Sequence, residues 1–377
     1  FMFGAGGSAL VSKTMGEGDH EKAKSLFSLF IYCTVVSSVV IATITFIFIR
    51  PIAILLGAEG AFLEHCIVYA RILLLSLPFY MLQFEFQSFF ITAEKPQLGL
   101  VITLISGAAN MVLDALFIAV FHWGLAGAAA ATAISQILGG MIPVIYFTRP
   151  NTSLLRLTKT HFDPNALLKA CTNGSSELMS NISVSLVSML YNVQLMKYAG
   201  ENGIAAYGVL MYTNMIFLGI FIGYSTGTGP IVSYHYGANN YSEVKSLLKK
   251  SLFLVGCFAV STFAIAELLA NPLAGIFVSY DKELMDMTVR AFRLYSFSFL
   301  FSSLAVYGSA FFTALNDGLT SAIISFLRTL LFQVTAVLLL PVVLGIDGIW
   351  LSVTVAELAA ALMTALFLVI KRKKYCY

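Results

Sequence analysis

The sequence predicts an all-α integral membrane protein of two parallel six-helix lobes, and three observations carry that prediction. Of 377 residues, 59% are hydrophobic and only 11% charged, whereas soluble domains run near 25% charged. Apolar segments long enough to cross a hydrocarbon layer of about 30 Å as helix recur along the whole chain. The second half repeats the first at a nearly constant offset, which fixes architecture before any motif does.

Taken in order, the apolar segments are 1–14, 26–50, 66–92, 97–121, 124–147, 166–197, 204–234, 247–270, 288–314, 318–344 and 346–370, about 11 spans. They are too long for barrel strands and lack their ten-residue alternation. Basic residues near span ends mark the cytoplasmic side. Assigning connections alternately puts 15 of them on one side, including Lys13, Lys22, Lys245 and the "KRKK" at 371–374, and 6 on the other. The C-terminus is therefore expected to be cytoplasmic, and Arg328 is left inside a span. The five cysteines are scattered, form no CxxC or Cys/His cluster, and indicate neither a disulfide framework nor a metal site.

The repeat is explicit. "GAGGSALVSKTMGEGDHEKAKSL" (4–26) aligns without gaps on "STGTGPIVSYHYGANNYSEVKSL" (225–247), so that Gly6, Val11, Ser12, Gly16 and Lys24 meet Gly227, Val232, Ser233, Gly237 and Lys245. Further on, Pro51 meets Pro272 and "GLAG" at 124 meets "GIDG" at 345. One residue inserted between them brings Arg71 to Arg293 and Phe89-Phe90 to Phe311-Phe312. In the second copy about 57 residues, 165–221, precede the partner of Phe1. Since the chain also starts with Phe, the expectation is an intact protein of 12 spans, of which the first lobe here lacks its first span and part of its second. Two lobes of six spans each share one orientation. The expected divisions are an N-terminal lobe 1–147, a polar basic linker 148–165, a C-terminal lobe 166–370 and a basic tail 371–377.

Ionisable residues within spans are functional candidates, because a charge there needs a partner or a water-filled cavity. Asp114 lies in "NMVLDALFIAV" (110–120), and Thr103, Ser106, Asn110 and Asp114 fall at helical steps on one stripe. The next span offers Thr132, Ser135, Gln136 and Gly139 on one face. A carboxylate, an amide and a hydroxyl suit a small monovalent cation such as Na⁺, or a proton on a desolvated acid. The alternative is a hydrogen-bonded knot that glues two helices. The repeat helps to decide: the partners of Asn110 and Asp114 fall among Leu331, Phe332, Thr335 and Ala336, so only the first copy carries the arrangement.

The second copy has a different stripe, Glu177, Asn181, Ser185, Ser188 and Asn192, and its next span adds Tyr207, Met211, Tyr212 and Asn214. An acid among adaptable and aromatic side chains suits lipophilic cations; interhelical packing is the equally weighted alternative. Gln136 joins Glu177, Asn181, Tyr207, Met211 and Asn214 as a substrate-binding candidate. Glu85 and Glu357 are weaker candidates, Glu267 lies close enough to the outer boundary to reach it, and Gly229-Pro230 is expected to allow a helix break. No GxxxxGK[ST], GxSxG or HExxH pattern occurs and the five histidines lie apart. Composition excludes nucleic-acid binding, and no enzyme signature or cofactor site is expected.

With "GGSALVSKTMGEGDHEKAK", "NMVLDALFI", "GLAGAAAATAISQ" and "GPIVSYHYGANN" in view, the chain resembles the multidrug and toxic-compound extrusion (MATE) family along its whole length. "YNVQLMKYAG" followed by "AAYGVLMY" is similar to the bacterial DinF-like or MepA-like branch. The resemblance implies a monomeric multi-pass protein of the plasma membrane that exports amphipathic, often cationic small molecules by alternating access, in exchange for H⁺ or Na⁺. It also implies a coupling-cation site at Asn110, Asp114 and Thr132, completed by an acid in a first span not contained in this sequence. Glu177 is similar in position to an acid that some relatives use in span seven. Two other functions stay open: a lipid-linked oligosaccharide flippase, which wants a row of Arg and Lys where only Arg328 is found, and an integral-membrane transferase, which wants a carboxylate or His cluster at one face.

Overall fold

The computed structural model describes residues 1–377, the side chain of Ala61 excepted. Among the described residues all regular structure is helical, as a chain that must satisfy its backbone inside lipid requires. The helices are α1 Met2–Gly16, α2 His20–Leu55, α3 Gly60–Thr92, α4 Pro96–Asp114, α5 Gly124–Thr148, α6 Pro164–Gly237, α7 Tyr241–Val278, α8 Lys282–Ser296, α9 Ser298–Ala314, α10 Gly318–Phe326, α11 Gln333–Leu344 and α12 Ile346–Tyr375. Two π-helical stretches interrupt the series: Ala115–Val120 continues α4, and Leu327–Phe332 joins α10 to α11.

Among the described residues eight helices are long and apolar enough to cross a bilayer, or up to nine if α8 and α9, bent by 45°, form one span. The expectation of about 11 differs for identifiable reasons. The two spans expected at 166–197 and 204–234 run on as α6, whose only break is Gly200 at φ 61°, ψ −149°, backbone that a side chain would forbid. The Gly229-Pro230 break expected from sequence does not occur, since the helix passes through Pro230. The segment 1–14 forms a helix of 15 residues, which is too short to cross alone. The "KRKK" expected in a separate tail belongs to α12, which continues to Tyr375.

The chain forms two compact units: Phe3–Ala170 with Phe1, and Cys171–Tyr377 with Met2. Each has its own core. In the first, Phe27, Phe86, Phe89, Phe90 and Phe147 pack as one aromatic cluster, Phe86 stacked on Phe147 with centroids 5.5 Å apart. In the second, Tyr191, Tyr207, Tyr295, Phe299 and Trp350 are buried together.

The sequence repeat reappears in the backbone. Asp19 caps α2 by accepting from the Lys22 amide at 3.0 Å, and Asn240, 221 positions on, caps α7 by accepting from the Glu243 amide at 3.3 Å. Left-handed residues recur at the same register: Gly18 and Asn239, Glu94 and Asn316, Gly124 and Gly345. Turns therefore persist where the side chains that make them have changed.

Small residues let the helices of a unit approach. A Cβ on Gly140 of α5 would fall into the backbone of Phe79 on α3, the close contact that membrane helix packing exploits. Gly140→Val should separate α3 from α5 and lower the melting temperature of the purified protein, with a loss of about 1–3 kcal/mol.

Between α9 and α10, Asp317 caps α10 by accepting from the Thr320 amide at 3.3 Å and hydroxyl at 2.8 Å, and pairs with Lys371 at 3.5 Å. Burial alone would raise its pKa, but hydrogen bonds from Tyr375 and Thr320 and the Lys371 charge outweigh it and hold the carboxyl below its ordinary value. A depressed acid contributes stability above its unfolded pKa and loses it as pH falls through the folded one. Asp317→Asn should therefore melt lower than the parent at neutral pH, with the difference closing below the ordinary carboxylate range.

Candidate functional site

In unit 1 the polar stripe of α4 meets the polar face of α5. Ser106 is buried and donates to the Ser135 carbonyl at 2.7 Å, and one turn further the Asn110 amide donates to the Thr132 hydroxyl at 3.5 Å. Thr103 does not join them: it is exposed and donates to its own helix at Gly99. Asp114 is the last α-helical residue before the π stretch and is half-buried, one turn along from Asn110. Among the described residues no side chain bonds its carboxylate, so Asn110 and Thr132 pair with each other rather than with Asp114. The π turn widens the helix immediately beyond the acid, a distortion frequent where helices carry function. A carboxylate, an amide carbonyl and a hydroxyl thus border one stretch of the α4–α5 seam.

Gln136 is engaged inside unit 1: its side-chain carbonyl accepts from the Ser76 hydroxyl of α3 at 2.6 Å.

Unit 2 distributes its candidates differently. Glu177 is half-buried, whereas Asn181 is exposed and donates to the Glu177 backbone carbonyl at 2.8 Å. Ser185 likewise turns back to the carbonyl of Asn181. Tyr207 is buried, with its ring stacked on Tyr191 at 5.3 Å. Met211 and Asn214 are half-buried, and Tyr212 is exposed and stacks on Phe277 at 6.1 Å. Hence the acid and the buried tyrosines belong to one unit, while Asn181 and Tyr212 point away from its core.

The most buried ion pair of unit 2 had only weak sequence signals. Arg328, in the second π stretch, donates its Nε–H to both oxygens of Glu357 on α12, at 3.1 and 2.9 Å, and both side chains are largely buried. The repeat register places this pair where unit 1 has Ser106 or Gly107, and Gln136. Glu267, expected to reach toward the membrane boundary, instead accepts from Ser296 at 2.5 Å. Among the described residues no cluster of His, Cys, Asp and Glu is arranged to hold a metal ion.

Helical units with ionisable residues held inside spans, one acid at a helix distortion and one ion pair across a hairpin, define a polytopic membrane transporter. A family model described as MatE matches residues 1–116 and 178–338, and the chain belongs to the MATE family, whose members are transporters and not enzymes. It is similar to the multidrug export protein MepA of Staphylococcus aureus, 24% identical over 379 residues that cover 99% of this chain and 82% of that protein. MepA of Staphylococcus haemolyticus is 26% identical over 374 residues, covering 98% and 80%. Among solved structures, a MATE protein crystallised in complex with MaL6 superposes with a TM-score of 0.94 at 20% identity, covering 99% of this chain and 84% of that one. An outward-facing multidrug resistance MATE transporter of the MOP superfamily gives 0.93 at 20% identity, with the same coverage.

Removing one partner of a buried ion pair strands the other charge at a cost of about 3–5 kcal/mol, whereas removing both is far milder. Arg328→Met and Glu357→Gln should each lower the melting temperature in detergent, and the double variant should recover most of the loss.

Proposed function

We propose that this chain is a cation-coupled antiporter that exports amphipathic or cationic small molecules across the plasma membrane by alternating access. The observation that carries the reading is the seam of Asn110, Asp114 and Thr132, where an acid with no side-chain partner sits on a helix distortion in unit 1, while the repeat register places only neutral residues there in unit 2. A packing knot common to both copies would be kept in both. The export of drugs by the relatives named MepA supports the substrate class.

An incoming H⁺ or Na⁺ neutralises Asp114, and neutralisation favours one arrangement of the helices over the other. Only a difference in ion affinity between two states couples ion entry to substrate exit. One charge moving through 100 mV yields roughly 2.3 kcal/mol, about a 50-fold substrate ratio under tight coupling. Glu177 and the buried Tyr207 supply charge pairing and a ring face for a lipophilic cation. The excess of basic residues at one set of span ends supports a cytoplasmic C-terminus. Arg328, the one basic residue deep in a span, is occupied by Glu357, which speaks against the row of free cations a lipid-pyrophosphate flippase needs.

Proteoliposomes of the full-length protein loaded with ethidium and given separate pH and Na⁺ gradients test this. Export should follow one gradient. Asp114→Asn should insert normally and lose gradient-driven export; ethidium export at the parent rate in that variant would sink the assignment.

A further inference from the structure

Unit 1 contains a second acid that the Asp114 seam does not use. Glu85 of α3 is 1% exposed, and neither of its carboxyl oxygens has a hydrogen-bond partner among the described residues. The hydroxyl of Thr34 on α2, itself 2% exposed and unpartnered, lies beside that carboxyl without bonding to it. Both groups lie in unit 1 between the packed helices α2 and α3.

The charged surroundings are sparse. Facing Glu85 are Thr34 from α2 and Gly4 from α1. The other charged or titratable side chains of α2 are near its ends, His20 to Lys24 and Arg50, apart from Tyr32 and Cys33; α5 carries only Tyr146, α4 only Asp114, and α1 only Lys13. On α3 itself the others are Glu64, His65, Cys66, Tyr69, Arg71 and Tyr80. None of these side chains bonds Glu85 among the described residues. An ionised carboxylate so enclosed is untenable, since a buried charge must be paired or neutralised. A hard cation would want several oxygen ligands, and no hydroxyl, that of Thr34 included, bonds this carboxyl among the described residues. A proton needs none.

The repeat adds an independent argument. At the local register Glu85 corresponds to Tyr307 in unit 2 and Thr34 to Val255. Tyr307 is also buried, with its hydroxyl unpartnered. The packing position is common to both units, but only unit 1 places an acid on it, as with Asp114.

We propose that Glu85, with Thr34 beside it, is a second proton-carrying site of unit 1. It holds its proton in the packed state described here and releases it only when α2 and α3 separate enough to admit water to the carboxylate. The reaction is one proton leaving the carboxyl for water, with no other bond changed. This rests on the reading that export is coupled to a cation, and it specifies that cation as H⁺ at this residue.

The test uses full-length protein in liposomes. Infrared titration should show, at neutral pH, a protonated-carboxyl carbonyl band that is missing from Glu85→Gln, a variant that copies the neutral acid and should melt like the parent. Under a pH gradient, ethidium export should fall about tenfold or more in Glu85→Gln and return in part in Glu85→Asp. The proposal is overturned if the parent spectrum lacks a band assignable to Glu85, or if Glu85→Gln keeps the parent's pH-driven export. A parent protein that exports ethidium under neither gradient would defeat the export reading instead, and the infrared band alone would then decide for or against Glu85.

Discussion

Inside a bilayer no solvent is available to neutralise charge, and this constraint organises both units. Each ionisable group within a helix meets it in its own way. Arg328 and Glu357 neutralise each other at hydrogen-bond distance. Glu267 shares a hydrogen bond with Ser296. Glu85 has no hydrogen-bond partner among the described residues, and Asp114 sits half-buried at a helix distortion. The first two are settled within the fold, whereas the other two are not bonded by any side chain among the described residues, and on that difference the proposed ion chemistry rests.

The general architecture was legible in the sequence because lipid imposes it so strongly: long apolar runs must be helix, and a repeat of helix-turn-helix units at a nearly constant offset must give two similar units. The recurrence of left-handed residues at Gly18 and Asn239 or Gly124 and Gly345 shows that the repeat resides in turn geometry as well as in side chains. Helix ends were less legible. Charged and polar turns such as "KRKK" do not stop a helix in water, so α12 outruns its apolar part. Likewise Pro230 did not break α6 while Gly200 did, since a helix tolerates an imino nitrogen more readily than it yields a left-handed kink without glycine.

The site was legible in part. Helical spacing found Ser106 and Asn110 on the face that meets α5, and included Thr103, which instead satisfies itself on its own backbone. Spacing along one helix carries no information about the partner helix, and this is why the Arg328–Glu357 pair and the Thr34–Glu85 contact appeared only in three dimensions. A signal for the ion pair was present nonetheless: two opposite charges on neighbouring spans, at positions where the first copy has Ser106 or Gly107, and Gln136. Comparing copies for charge gained, as well as for charge lost, would have found it.

Gly200 has a mechanical consequence. The turns that join most neighbouring spans have several residues that absorb small displacements, but the two halves of α6 meet at one kinked glycine, as α11 and α12 meet at Gly345. A joint of that kind has almost no slack. Motion at one end of this pair is passed to the other as rotation about a single pair of torsion angles, with little lost in an intervening loop. The stiffness of unit 2 in that region is therefore set by one residue whose only chemical qualification is the lack of a side chain.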